Sequence, residues 1–428
     1  VTRPTSLRTF LIIWVGQTAS ILGSRIATFA LTLWVWEATG QATPLSLLAF
    51  FTATPPIIAS LFSGIIIDRF PRKQLMLLGD TVAGCSTIAI LFLLLSNSLA
   101  IWHIYFAAAV SSLFGYLHWM SLSASMSMIV PQKHYTRVSA LESAKGYGSN
   151  ILAPALGASL YYAIGLTGIL MLDLVTFFLA ISTLSLVTIP QPEAGKSDTA
   201  SKETLWQQLT FGFRYIFKRP SLLAILLFLL SSNFVGNIGG AIFPAMILAR
   251  SDDNAAVLAS VEAFSGIGGL TGAMVLSIWG GFRRRIHGLL LGSMFSRISG
   301  VVLGLAQFPW LWSITGFWQT FFGSFIGSSN QAIWLSKVEP AVQGRVFTSR
   351  YLIAQLASPM GVAIAGPLAD FVFEPAMQPS GMLAGVLGGV FGTGEGSGMA
   401  VQFTLVSLLG SAIGLCGYLF PVLRDVEK

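Results

Sequence analysis

LLAILLFLLSSNFVGNIGGAIFPAMIL, from Leu222 to Leu248, carries no charged residue. A helix needs roughly 20 apolar residues to cross a hydrocarbon core of about 30 Å, so this stretch is long enough to span a bilayer. Leu75 to Leu95 reads the same way, with one acid, Asp80, and no base. Across 428 residues, 54% are hydrophobic and only 10% are charged, whereas soluble domains carry roughly 25% charged residues. Backbone amides and carbonyls in lipid must bond to one another, which leaves only helices or closed barrels. Barrel strands alternate in segments of about 10 residues, and these unbroken runs do not. The fold class is therefore all-α integral membrane.

Working outward from that run, twelve spans are predicted: 10–36, 44–67, 75–96, 101–129, 138–163, 166–188, 221–248, 256–279, 288–308, 310–335, 346–372 and 399–421. If the N-terminus is cytoplasmic, 21 of the 24 Lys and Arg fall on the inner side, as the positive-inside rule requires. Arg250 lies in an outer loop, and Arg25 and Arg297 lie inside spans. Both termini are thus expected in the cytoplasm. The first apolar run continues to Trp36 without a small-residue cleavage pattern, so it reads as a span, not a signal peptide. The net charge of +7 reflects this sidedness and does not point to nucleic acid.

The polar Pro190–Glu203 stretch divides the chain. The expected domains are a six-helix bundle over 1–189, a cytoplasmic linker with an amphipathic helix over 190–220, and a second six-helix bundle over 221–428. Within the linker, Trp206, Leu209, Phe213 and Ile216 recur at helical spacing beside Arg214, Lys218 and Arg219, a pattern suited to the inner membrane surface, with a regulatory docking helix as the alternative. The halves echo each other. Val130-Pro131 and Arg137-Val138 precede the fifth span; Glu339-Pro340 and Arg345-Val346 precede the eleventh. Repeated halves are a feature of many secondary carriers.

The most specific signal is Gly64-Ile-Ile-Ile-Asp68-Arg69-Phe-Pro-Arg72-Lys73, between the second and third spans. Its pattern resembles the signature of the major facilitator superfamily. Trp14-Val-Gly-Gln17, Pro154-Ala-Leu-Gly157, Asp173 and Gly344-Arg-Val-Phe347 extend the resemblance to the macrolide-efflux and enterobactin-exporter branch, whose members are drug:proton antiporters. The resemblance implies a secondary exporter of amphiphilic compounds and a gating motif of Gly64, Asp68, Arg69, Arg72 and Lys73. In it Gly64 permits close helix approach and Asp68 latches onto Arg345 or the helix start beside it. Departures are Pro71 in place of a glycine, a second-half copy without its Asp, and a fourth span without Arg.

Ionisable residues inside spans cost at least about 3 kcal/mol each and mark functional sites or buried pairs. The proton-coupling candidates are Asp173, Arg25, His118, Glu262 and Arg297. Arg25 and Asp173 lie at similar depth with opposite charge, which suggests a pair. His118 is a proton carrier or a packing residue. Asp80, within two turns of the signature, is expected to meet Arg69, Arg72 or Lys73. The substrate-cavity candidates are Trp119, Asn150, Asn233, Phe234, Asn237, Trp318, Gln319 and Asn330. Asn233 and Asn237 share a helix face, either in a cavity wall or in bonds between helices.

Gly268/Gly272, Gly300/Gly304 and Gly323/Gly327 are spaced for close helix contact. Gly381 to Gly398 holds eight glycines and reads as a flexible outer loop. Cys85 and Cys416 read as small hydrophobes, and four unpaired histidines give no metal motif. No Walker sequence occurs, so ATP is not the expected energy source, and the resemblance implies protons instead. The expected partners are a small-molecule substrate, protons and the lipid bilayer. The chain is expected to act as a monomer in the bacterial inner membrane, without a cofactor or catalytic residues. Uptake by the same fold, or a non-transporting sensor, are the alternatives.

Overall fold

The computed structural model describes residues 6–189 and 205–427, with the side chains of all but Ile65, Asp68, residues 205–209 and Ala341. Every regular element among the described residues is helical. In chain order they are α1 (Leu7–Thr39), α2 (Ala42–Arg69), α3 (Arg72–Leu95), α4 (Ile101–Ile129), α5 (Tyr135–Leu186), α6 (Leu205–Phe217), α7 (Pro220–Ala249), α8 (Ala255–Trp279), α9 (Arg285–Leu305) and α10 (Pro309–Lys337). They continue as α11 (Gln343–Leu368), α12 (Glu374–Met377), α13 (Ala384–Phe391), α14 (Ser397–Cys416) and α15 (Pro421–Arg424).

The 52-residue α5 is two arms joined at Gly165, whose φ of 65° and ψ of −179° break the helix. That conformation is open essentially to glycine alone. Counting α5 twice, α1–α5, α7–α11 and α14 make the twelve passes. Among the described residues, nine helices are long and apolar enough to be membrane spans by composition alone. The exceptions of spanning length, α4 and α10, are rich in Ser and Trp, which hydropathy scales score low. The echo between halves is structural as well. A one-turn 3₁₀ helix, Gln132–His134 or Pro340–Val342, precedes α5 and α11 in turn.

The chain divides into two compact units. One contains α1, α2 from Leu47 onward, and α3 to α5; the other contains Gly40–Ser46 and everything described from α6 onward. In the first unit, Phe10, Ile13, Met76, Ile129 and Leu184 are almost fully buried around one core. In the second, Ile216, Ile225, Leu289, Trp334 and Val346 do the same.

Glycines bring some helices to backbone contact. Gly268 and Gly272 of α8 face the carbonyls of Phe317 and Phe321 in α10, and Gly300 and Gly304 of α9 face Ser407 and Thr404 of α14. Gly323 and Gly327 do not follow: among the described residues nothing lies within 4 Å of where their Cβ would be, and the same holds for Gly64. The expected close approach at these three positions is therefore absent, because each faces open space.

Two further expectations change. The linker helix α6 is docked, not merely laid on a surface: Ile216 is fully buried in the second core, and Gly212 sits against the Arg345 carbonyl and Ser349 of α11. The linker residues 190–204, and the Trp206 and Leu209 side chains, lie outside the described residues. The glycine-rich segment is not simply a loop, since α13 forms within it and Gly392 and Gly396 turn the chain with positive φ. Before it, α11 passes Pro367 and opens into a π-helical turn, Ala369–Phe373, a departure that recurs at functional sites.

Candidate transport site

Within the first unit, α1, α3 and α4 bring three buried polar residues together. His118 places Nδ1 3.0 Å from Oδ1 of Asp80, and Gln17 donates from Nε2 to Oδ2 of the same carboxylate at 3.1 Å. His118 Nδ1 also lies 3.0 Å from the Met76 carbonyl. All three residues are under 10% exposed. Gly79 makes this possible: a Cβ there would lie 2.7 Å from Cβ of His118 and 2.9 Å from the Phe114 carbonyl. Asp80 is thus not held by the signature bases, as its position in sequence suggested.

Those bases do other work. Arg72 donates to the Ala124 carbonyl at 2.6 Å, tying the start of α3 to the end of α4. Lys73 donates to the carbonyls of Ser185 and Val187 at 2.9 and 2.7 Å, at the C-terminal end of α5, where a cation meets the helix dipole and unpaired carbonyls. Asp80 lies about two turns beyond them along α3, too far for either to serve both roles. Arg69 is exposed. The Asp68 side chain, and with it the expected latch, lies outside the described residues.

The Arg25–Asp173 pair does not form. Asp173 is buried and accepts from Ser24 Oγ at 2.9 Å and Thr87 Oγ1 at 2.8 Å, while Arg25 is exposed. Adjacent residues on a helix point about 100° apart, so Ser24 facing α5 turns Arg25 away.

Beside this network the first unit holds a cavity of about 440 Å³, lined by Trp119, Leu122, Met126, Tyr135, Val138 and Glu142 among others. Its wall is mainly apolar with one carboxylate. That Glu142 carboxylate binds Lys145 at 2.6 Å, one turn further along α5. Trp119 is 57% exposed and offers its ring to this space. Asn150, also on α5, is exposed and does not line this cavity.

In the second unit, Arg297 donates to the Ser232 carbonyl at 3.2 Å and fills the space left by Gly236 of α7 and Gly410 of α14. Glu262 is on α8, only partly exposed, and no contact joins it to Arg297 among the described residues. Asn233 donates to the Ala354 carbonyl at 3.2 Å, and Asn237 accepts from Ser358 at 3.1 Å. The two amides therefore bind α7 to α11, and Phe234 lies between them with its carbonyl against Gly361. Trp318 stacks on Phe322 and meets Phe321 edge-on, within an aromatic band along α10. Gln319 accepts at its backbone carbonyl from Ser296 Oγ at 2.8 Å, and Asn330 keeps a buried Oδ1 without a partner among the described residues.

Residues 13–362 match the Major Facilitator Superfamily. The chain belongs to that superfamily. Major facilitator relatives include the macrolide efflux protein A of Streptococcus pyogenes, 25% identical over 84% of this chain and 89% of its own. The multidrug efflux pump Tap of Mycolicibacterium fortuitum is 21% identical over 97% of this chain and 96% of its own. The fold also matches a crystal structure of a POT family transporter in complex with 5-aminolevulinic acid, with a TM-score of 0.71 at 13% identity, covering 98% and 97% of the two chains. Family and fold are those of multi-pass membrane transporters of small molecules, not of enzymes.

Proposed function

We propose that this major facilitator exports amphiphilic small molecules, drug-, macrolide- or siderophore-like, in exchange for protons. The observation that carries the reading is that relatives matched over more than four-fifths of the chain are named as efflux proteins. The cavity beside Trp119 supports it, because an apolar wall with an aromatic ring and one carboxylate suits a compound with both apolar and polar parts. Buried ionisable residues inside spans support protons as the coupling ion. The transporter works as a monomer in the bacterial inner membrane with both termini in the cytoplasm. Its two six-helix halves alternate access to a central site, with Asp68 latching near Arg345 on the inner side.

Transport into inside-out vesicles, with a panel of amphiphiles and an imposed pH gradient, tests this. Accumulation that rises when the vesicle interior is acid is expected. Gradient-independent movement of every compound would overturn proton antiport. Movement only in right-side-out vesicles would assign uptake instead.

A further inference from the structure

Asp80 and His118 form the one ion pair between different helices among the described residues of the first unit whose two members are both under 10% exposed. Its geometry fixes the histidine tautomer. Nδ1 faces two acceptors at 3.0 Å, the Asp80 carboxylate and the Met76 carbonyl, so it must carry a proton. The other ring nitrogen, Nε2, is buried and has no hydrogen-bond partner among the described residues. In neutral histidine Nε2 is then a lone pair shielded from water. Adding a proton creates an N–H with nothing to donate to and a positive charge beside the carboxylate.

Such a group is two-state. The neutral ring leaves Asp80 as a net negative charge, stabilised by Gln17. The charged ring cancels that charge but leaves Nε2–H buried and unsatisfied, which is unfavourable unless the helices shift or water enters. Protonation is therefore linked by its chemistry to movement of α3 or α4. The charged groups facing the ring complete the account. Asp80 comes from α3, α1 contributes only the neutral Gln17, and α5 contributes Lys145, within electrostatic reach of His118. Lys145 is itself held by Glu142, which lines the cavity.

Depth agrees. Counted at about 1.5 Å per residue from the helix ends at Leu7, Arg72 and Ile129, the three residues lie about 12–17 Å in. These helices run about 36–50 Å, so each of the three residues lies well inside its span.

We propose that the Asp80–His118 pair, braced by Gln17, is the proton-binding site of this transporter, with Nε2 as the atom that takes the proton. Glu142 and Lys145 connect it to the cavity beside Trp119. In each cycle one proton bonds to Nε2 from one side of the membrane and leaves from the other; no other bond changes. The assignment rests on the proton-driven reading above, and its test separates the two.

Two measurements on the full-length protein decide it. In purified chains, proton uptake between about pH 5 and pH 8 is titrated for wild type, H118Q and D80N. Each variant is expected to bind about one proton fewer per chain. In vesicles, both variants are expected to exchange labelled for unlabelled substrate as wild type does, while gradient-driven accumulation falls to the level without a gradient. A folded variant with unchanged proton uptake, or with gradient-driven accumulation within twofold of wild type, overturns the assignment. Equal loss of exchange and accumulation marks the pair as packing only and also overturns it. Should H118Q fail to fold, the near-isosteric D80N carries both measurements. If wild type moves no compound, the export reading fails, and the proton count still decides the site.

Discussion

Asp370 and Glu374, four residues apart across a π-helical turn, each hold the start of a different helix. Asp370 accepts from the amides of Ala42 and Thr43 at 2.9 and 2.7 Å, at the first turn of α2. Glu374 accepts from the Met399 amide at 2.7 Å, at the first turn of α14, and draws further on the amides of Gly396 and Gly398. Gly398 lies against the backbone of Phe373 and Glu374, where no side chain would fit. Both carboxylates thus satisfy orphan N–H groups at the positive end of a helix. Asp370→Ala and Glu374→Ala should each lower stability by about 1 kcal/mol. Asp370→Asn should lose less than Asp370→Ala, because an amide oxygen still accepts. Thermal unfolding in detergent reads both.

Asp68→Asn should leave membrane insertion and expression unchanged and lower transport at least several-fold. This follows from the proposed latch and from the fact that the neighbouring Arg72 and Lys73 keep their own carbonyl partners whatever happens at residue 68. Normal transport by a well-inserted variant would show that the motif serves only topology.

Asp173→Ala should destabilise by about 1 kcal/mol, since it removes the buried carboxylate that accepts from the Ser24 and Thr87 hydroxyls. Arg25→Ala should change little, being exposed and unconnected to Asp173. The double variant should behave as Asp173→Ala alone. Rescue of one by the other, seen in folded yield, would restore the ion pair.

Gly79→Val should impair coupling more than folding. Its branched side chain would press on His118 Cβ and the Phe114 carbonyl, costing about 1–3 kcal/mol and displacing the imidazole from Asp80. Gly79→Ala should give the same change at smaller amplitude. The comparison to make is the ratio of accumulation with and without a pH gradient.

The spans were legible because run length and charge asymmetry are one-dimensional signals: Leu222 to Leu248 gave α7 as Pro220–Ala249 almost residue for residue. The partners of charged residues were not. Similar depth suggested Arg25 for Asp173, yet helix rotation, not depth, selected Ser24. Nearness in sequence suggested Arg72 or Lys73 for Asp80, yet both found carbonyls on other helices. The pairing of Asp80 with His118 depends on the α3–α4 crossing at Gly79, and a glycine two turns from a proline-bounded loop carries no such mark in sequence. Gln17 was visible only as part of a family motif, Lys145 only as one of the 21 inner bases, and Glu142 carried no signal.

Gly165 also serves as a ruler. Both arms of α5 start from that one residue, so distances along them share an origin. The first arm, 135–164, is about 45 Å long and the second, 166–186, about 32 Å. Lys145 falls about 30 Å from the origin, one full hydrocarbon thickness, and Asp173 only about 12 Å. Glu142, about 35 Å from the origin, therefore meets water through the cavity it lines at the face opposite Gly165, while Lys145 and Asp173 stay buried. A membrane-impermeant thiol reagent added on that opposite face would label Glu142→Cys and spare Asp173→Cys, which turns a single left-handed glycine into a calibration mark for the depth of every residue on two spans.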